Sequence, residues 1–488
     1  MNQDLSHNIS IYLTIGLGFF FLCYRIGNRY RYVASNFEEY VAAGRRLGTF
    51  SSVCTILATW FGAGAMIGTA SEVYHHGIRS VISDPFGITA GLLFLSFFLV
   101  PKFRKDRDLT VSDAIARKFG RKYATFLSLL MLPLFIGTIA SQFIAFGTIC
   151  QKTLGFNREL CSAFIAVVTI AIIQRGGLWA VVVTDILQLK VIGIAIVVCT
   201  VFVIQLADGS LLITDLKDEV SNLFTMGSND PILRCGYLGQ WFMAGIGAIL
   251  AQDLFQRISS AKSDAVAQKS SFIAACLYLM LGLGPILIGL SARHMGLVLQ
   301  HPDDVFLEVV RQNLSEHVYI LFVFGLVAAI MSTADSYLLA GAVLLARNVL
   351  ESYVIREKTE QIALVKASSV IITALALLVG CFFPRIFGLI VFSYTTLFVG
   401  AWVPTMAAFL MEKPSLKAAM TATFSGLVSW LIALIYTKAL GYNLDQMIYA
   451  ASFIGGLVAL IGFVSVEGGS RLLCKLQLWT KQTRVKTP

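Results

Sequence analysis

Apolar runs of about 20 residues, each long enough to cross roughly 30 Å of hydrocarbon, recur along almost the whole chain, from residue 9 to residue 468. They lie at 9–27, 49–77, 80–101, 123–151, 159–174, 179–206, 236–256, 271–293, 317–345, 366–384, 387–411, 418–437 and 447–468. Inside a bilayer every backbone N–H and C=O must be satisfied internally, which leaves helices or closed barrels. The runs are too long and too evenly apolar for the alternating ten-residue segments of a barrel. The expectation is an all-α integral membrane protein of about thirteen transmembrane helices. Charged residues make up 14% of the chain, against about 25% in soluble domains, so most of the surface faces something other than water.

The formal net charge is +10. A basic balance can point to nucleic acid, but the positions exclude that partner. With the N-terminus outside, the connections at 24–48, 101–123, 174–178, 257–270, 346–366 and 412–417 and the tail at 468–488 hold 28 of the 38 Lys and Arg. The opposite connections hold 9, and Lys190 falls inside a span. Basic residues concentrate in cytoplasmic connections, which predicts a multi-pass protein of the cell membrane with its N-terminus outside and its C-terminus in the cytoplasm. The densest cluster runs from Lys102 through Arg104, Lys105, Arg107, Arg117, Lys118 and Arg121 to Lys122. It reads as an orientation signal beside anionic lipid headgroups. The first run lacks a basic lead and a small-residue cleavage site, so it reads as a span and not a leader. None of the nine cysteines forms a CxxC pair, and no zinc or redox site is legible. No GxxxxGK[ST] loop occurs, and no appended soluble domain is expected. Transport would then draw on a gradient or be passive.

Helices with a uniform apolar face only anchor; transporter sites sit where helices break. The second run carries Thr59-Trp60-Phe61-Gly62-Ala63-Gly64-Ala65 near its middle. Two glycines there weaken the helix and would free carbonyls for a cation, or they allow close helix packing. The seventh run, with Gly236, Gly239, Gly245 and Gly247 followed by Gln252 and Asp253, is a second candidate break. The two breaks lie five spans apart, the placement of two inverted five-helix halves. The ninth run holds Ala328-Ala329-Ile330-Met331-Ser332-Thr333-Ala334-Asp335-Ser336. Its hydroxyls either ligate a hard alkali cation or bond back to their own helix. Carboxylates at membrane depth, here Asp335 and Asp185, mark an ion path or a charge partner; for Asp185 a structural partner such as Arg175 is the alternative.

Taken together, these stretches resemble the sodium:solute symporter family. The run from Glu38 to Gly48, Gly176-Gly177-Leu178-Trp179 with Thr184-Asp185 and Gln188, Phe255-Gln256-Arg257, and Ala328 to Ser336 carry the likeness in register. The resemblance implies a five-plus-five inverted-repeat core over 49–411, with repeats 49–206 and 236–411. It is preceded by a helix and cytoplasmic linker at 1–48 and followed by two helices and a basic tail at 412–488. It also implies sodium-coupled import of a small organic solute of amino acid, quaternary amine or carboxylate type, with Na⁺ as coupling ion. By position, the carbonyls of Ala58, Phe61 and Ala329 and the hydroxyls of Ser332 and Thr333 would bind Na⁺. Asp185 would serve the ion pathway. Trp60, Gly62, Gly64, Ala251, Gln252 and Asp335 are candidates for a solute cavity between spans 2, 4, 7 and 9.

The choline-transporter branch shares the most residues, but the aromatic positions expected of a quaternary-amine cage read Ile88, Thr138 and Ala251, leaving Trp60. Proton coupling through Asp185, Asp253 or Asp335 is the alternative to sodium. A channel would call for a repeated filter or charged ring. An enzyme would call for converging histidines, and those at 7, 75, 76, 294, 301 and 317 do not converge. The remaining expected partner is membrane lipid.

Overall fold

The computed structural model describes residues 2–206, 217, 219–221, 223–296, 305–351, 360–382 and 386–484, with side chains from residue 10 to residue 468. Part of the 207–235 connection, His301 and the last four residues lie outside the described residues. Among the described residues the regular structure is all helical, joined by short turns and irregular connections, with one isolated β-bridge between Leu47 and Ala261.

In chain order the elements are α1 (Asn2–Arg29), α2 (Phe37–Ala42), α3 (Thr49–Trp60), α4 (Gly64–His76), α5 (Ile78–Arg104), α6 (Val111–Phe119), α7 (Arg121–Leu154) and α8 (Arg158–Leu206). They continue with α9 (Pro231–Phe242), α10 (Gln252–Ser260), α11 (Asp264–His294), α12 (Val305–Asn313), α13 (Glu316–Leu350), α14 (Gln361–Gly380), α15 (Gly388–Leu410), α16 (Leu416–Ala439) and α17 (Leu444–Arg484).

Ten of these are long and apolar enough to cross a membrane, or eleven when the bent pair α3 and α4 counts as one span. The expected thirteen is not confirmed by this count, for two physical reasons. The runs at 159–174 and 179–206 lie in one element, α8, counted once, although its 49 residues are longer than one crossing needs. It is two helices meeting at Gly177, whose φ of 52° and ψ of −137° are not helical. A side chain there would also meet the Tyr40 backbone. The run at 236–256 is broken between α9 and α10 and forms no continuous helix of span length. The short α2, α6 and α12 lie outside the expected spans, and α17 continues helical well past residue 468, where a tail was expected.

Helix ends follow local chemistry. Thr110 and Asp113 close a capping box on α6. Asp230 caps α9, which opens with Pro231. Gly155 ends α7 in the left-handed region, where a Cβ is disfavoured. Burial sorts the bundle into layers: 72% of the most apolar window of α7 and of α13 is buried, against 17% for α1 and 33% for α14. So α7 and α13 form the centre and α1 and α14 lie at the rim. Between Ala328 and Leu344 every residue of α13 is buried. Gly91 and Gly245 let α5 lie directly on the distorted stretch after α9, since a Cβ on Gly91 would strike the Gly245 carbonyl.

One end of the bundle is closed by basic side chains that grip backbone. Arg104 donates to the carbonyls of Ile258 (2.7 Å) and Ser259 (3.1 Å) and pairs with Asp264 (2.7 Å). Arg45 donates to the carbonyls of Arg107 (2.8 Å), Asp108 (3.1 Å) and Ser259 (3.3 Å) and pairs with Glu38. Leu47 seals the same place through backbone bonds to Ser260 and Lys262. Arg117 pairs with Asp106 and Asp108. Arg104 and Arg117, expected to face lipid headgroups, are therefore bonded within the protein. The buried carboxylate of Asp108 is pushed up to about 6 by loss of water, against the pull of Arg117.

Candidate ion and solute site

The α3–α4 break bends by 63°. Phe61 leaves the helical region with ψ of 70°, and the amide of Ala63, which the break frees, donates to Gln142 Oε1 of α7 at 2.9 Å. The chain cannot close this gap with bulk. A Cβ on Gly62 would lie 2.5 Å from Thr333 Oγ1 and 2.9 Å from both Gln142 Oε1 and Thr333 Cβ. The close approach of α3 to α13 therefore depends on glycine.

Across that approach the oxygens of two helices meet. Ser332 Oγ donates to the carbonyl of Ala58 at 2.9 Å and to that of Ala329 at 3.0 Å. Thr333 Oγ1 lies 3.4 Å from the Ala58 carbonyl. Phe61 stands at the break itself and is fully buried. Four of the five residues expected to hold an ion are thus linked through Ser332 and Thr333, and Phe61 follows Ala58 by about one helical turn. Ser332 thus makes the bond back to its own helix that the sequence offered as one alternative, and a second bond across to α3. All these oxygens are neutral and hard, the donor set suited to an alkali cation and not to a soft metal.

A polar ladder leads from this cluster toward the basic end. Thr59 Oγ1 meets Ser336 Oγ at 3.2 Å, and Thr55 Oγ1 donates to Asp185 Oδ2 at 2.6 Å. Asp185 and Asp253 both act electrostatically on the fully buried Arg257, whose Nη1 donates to the Asp253 carbonyl and to Gln256 Oε1. Asp185 therefore faces Thr55 and Arg257, and not Arg175, which lies over the Tyr24 ring instead.

Beside the oxygen cluster is a cavity of about 60 Å³, some four times the volume of about 15 Å³ that one water needs. Trp60, Gly62 and Gly64 line it, and so do Ile88 and Thr138. The indole N–H of Trp60 donates to Asp253 Oδ2 at 2.6 Å, which fixes the ring. Three expected residues are not in the lining. Ala251 lies beyond the break after α9, where Met243, Ala244 and Ala248 take the wall. Gln252 is turned to the basic end, accepting from Val111 N at 2.8 Å and donating to the Leu109 carbonyl at 3.2 Å. Asp335 points to the α8 side, near Asp185, with its charge felt by Cys23 of α1.

The lining also contains residues that the sequence reading missed: Asp84, Gln142, Tyr337 and Tyr394. Asp84 carried a usable signal, being a carboxylate inside an apolar run. The tyrosines carried none, because Tyr337 and Tyr394 meet only in three dimensions, hydroxyl to hydroxyl at 2.6 Å. Thr333 lines the cavity and belongs to the oxygen cluster as well.

Residues 40–426 match the pattern of the sodium:solute symporter family. The chain is 29% identical over 370 residues to the high-affinity choline transporter 1 of Drosophila melanogaster, a match covering 72% of this chain and 58% of the relative. The chain thus spans less than two thirds of that relative's length. It is 25% identical over 329 residues to the sodium/proline symporter of Haemophilus influenzae, covering 63% of this chain and 64% of that one. In three dimensions it superposes on a Na⁺-coupled sialic acid symporter with a TM-score of 0.75 at 16% identity, over 93% of this chain and 97% of the other. That superposition shows the shared fold, and the family match covers most of the chain. The chain belongs to the sodium:solute symporter family, a family of transporters and not of enzymes.

Proposed function

We propose that the chain is a sodium-coupled symporter that imports a small organic solute across the plasma membrane by alternating access. The observation that carries this reading is the position of Thr333, whose hydroxyl belongs to the inter-helix oxygen cluster while its residue walls the cavity. Na⁺ would be held by the carbonyls of Ala58, Phe61 and Ala329 and the hydroxyls of Ser332 and Thr333. Binding replaces the hydroxyl-to-carbonyl bonds with ion contacts and ties α3 to α13. Ordering that seam also orders one wall of the cavity, so ion and solute strengthen each other's binding by the same factor.

The ladder from Thr59 through Thr55 to Asp185 supplies the exit route toward the basic end. In the orientation set by the basic residues that end is cytoplasmic, with the N-terminus outside and the C-terminus inside. An inside-negative potential contributes about 2.3 kcal/mol per charge per 100 mV to the inward step. The working core is the pair of repeats 49–206 and 236–411. The segment 1–48 and the helices and tail of 412–488 flank it in contact with lipid. The names of the relatives support choline-like or proline-like solutes.

Purified protein in liposomes should accumulate its solute under an inward Na⁺ gradient and stop when K⁺ replaces Na⁺. Ser332→Ala with Thr333→Ala should raise the Na⁺ concentration for half-maximal uptake by about tenfold, the equivalent of 1.4 kcal/mol, while the protein still folds. A normal Na⁺ response in the double variant would overturn the placement. Accumulation driven only by a pH gradient would overturn sodium coupling.

A further inference from the structure

We propose that the solute is a small organic ammonium ion carrying at least one N–H, bound with its nitrogen against the carboxylate of Asp84. The inference rests on the symport reading and specifies the chemistry of its cavity. Among the described residues lining the cavity, Asp84 is the one with a formal charge; no Lys or Arg is present. Tyr278 donates to Asp84 Oδ1 at 2.9 Å and to the Trp60 carbonyl at 3.4 Å, anchoring the carboxylate beside the Trp60 ring. Asp84 is half-buried within the apolar, span-length helix α5, and it lines the cavity.

A carboxylate in such a helix is expensive unless a cation meets it, and Tyr278 supplies a neutral hydrogen bond, not a charge. A solute bearing only a carboxylate would find repulsion from Asp84 and no basic partner. A solute cation brings the missing charge. The form of the cation follows from the carboxylate. A quaternary nitrogen is held by ring faces, and Trp60, Tyr337 and Tyr394 do stand in the wall with Ile88 and Thr138, but it carries no N–H to give Asp84, where Tyr278 is the hydrogen-bond donor in place. An N–H, by contrast, makes a charge-assisted bond to a carboxylate oxygen, among the strongest a protein offers. Tyr337 and Tyr394, paired hydroxyl to hydroxyl at 2.6 Å, complete the wall.

The test uses the purified full chain in liposomes with an inward Na⁺ gradient and three labelled probes of nearly equal shape. These are N,N-dimethylethanolamine, which is protonated and carries N–H; choline, which carries none; and 3,3-dimethylbutan-1-ol, which is neutral. The amine should accumulate, choline should compete at least tenfold more weakly, and the neutral probe should not compete. Asp84→Asn should weaken amine competition at least a hundredfold, and Asp84→Glu should restore part of it. The rise in Tm on adding Na⁺ should be preserved in both variants, showing that they fold and keep the ion site. Equal handling of choline and the amine, preference for the neutral probe, no accumulation of the amine, or undiminished amine transport by Asp84→Asn would each overturn the inference. If the wild-type protein shows neither a Na⁺-induced rise in Tm nor Na⁺-driven uptake of any probe, the symport reading itself fails. A retained Na⁺ response without amine recognition removes only the Asp84 assignment.

Discussion

Gly62 is the position where a single methyl group separates ion coupling from mere packing. In Gly62→Ala the new Cβ would begin 2.5 Å from Thr333 Oγ1 and 2.9 Å from Thr333 Cβ. The hydroxyl can rotate away, but the Thr333 Cβ is fixed to the α13 backbone, so the two helices must separate by about half an ångström to reach ordinary contact distance. Overpacking of this kind costs about 1–3 kcal/mol. The displacement falls on the seam joining Ala58 to Ser332 and Thr333. If roughly half of the upper figure falls on the sodium-bound state, the Na⁺ requirement rises about tenfold. Gly64→Ala is the matched control. Its Cβ would meet the Cδ1 end of Ile390 at 2.5 Å, a flexible tip that can swing away, and it projects into the solute cavity instead. It should raise the solute requirement and leave the Na⁺ requirement within about twofold. Uptake into liposomes, titrated in Na⁺ at saturating solute and in solute at saturating Na⁺, reads both quantities. A folded Gly62→Ala protein with an unchanged Na⁺ requirement would refute the argument, as would Gly64→Ala carrying the sodium defect.

Two further outcomes follow from named contacts. Trp60→Phe and Asp253→Ala each remove the 2.6 Å bond that fixes the cavity ring; each should raise the solute requirement several-fold, and the double variant should be no worse than the poorer single one. Burial would push the carboxyl of Glu39 up, but the hydrogen bonds from Trp179 and Arg46 outweigh it and hold the group below its usual value of 4.5. A depressed carboxylate stabilises the fold above the unfolded value and loses that contribution as pH falls through the folded one. The Tm advantage of wild type over Glu39→Gln should therefore be full above about pH 5 and shrink as the pH falls below 4.5. An advantage that does not change with pH would contradict the assignment.

The parts of the site that lie on one helix were legible in the sequence. The helix-weakening glycines after Phe61, Gly62 and Gly64, and the hydroxyl pair at 332 and 333 are local patterns with a local physical meaning, and the structure sets Gly62 against Thr333. Residues defined by what faces them were not legible. Gln252 reads like Asp253, its neighbour in the chain. Yet one turns to the backbone of Leu109 and Val111 and the other to Trp60, because adjacent residues on a helix point apart. Asp335, singled out as a carboxylate inside a span, is two residues from Thr333 on the same helix, a spacing that does not share a face, and it is absent from the cavity wall that Thr333 lines. The span count is not confirmed, yet both irregular places were legible: the expected connection at 174–178 coincides with the kink at Gly177, and the expected break in the run at 236–256 with the distorted stretch after Phe242.

The closure at the basic end has a consequence for timing. Arg45 and Arg104 hold Ile258 and Ser259 by their main-chain oxygens, not their side chains. Side-chain changes at 258 and 259 therefore leave the latch intact, whereas loss of either guanidinium weakens it directly. Charged hydrogen bonds contribute about 1.5–3 kcal/mol each, and in the proposed alternating-access cycle each of these would break and re-form once per turnover. The latch would then set the timing: removing one guanidinium should shorten the dwell with that end shut and quicken exchange between states. The same loss should let ions slip through without solute.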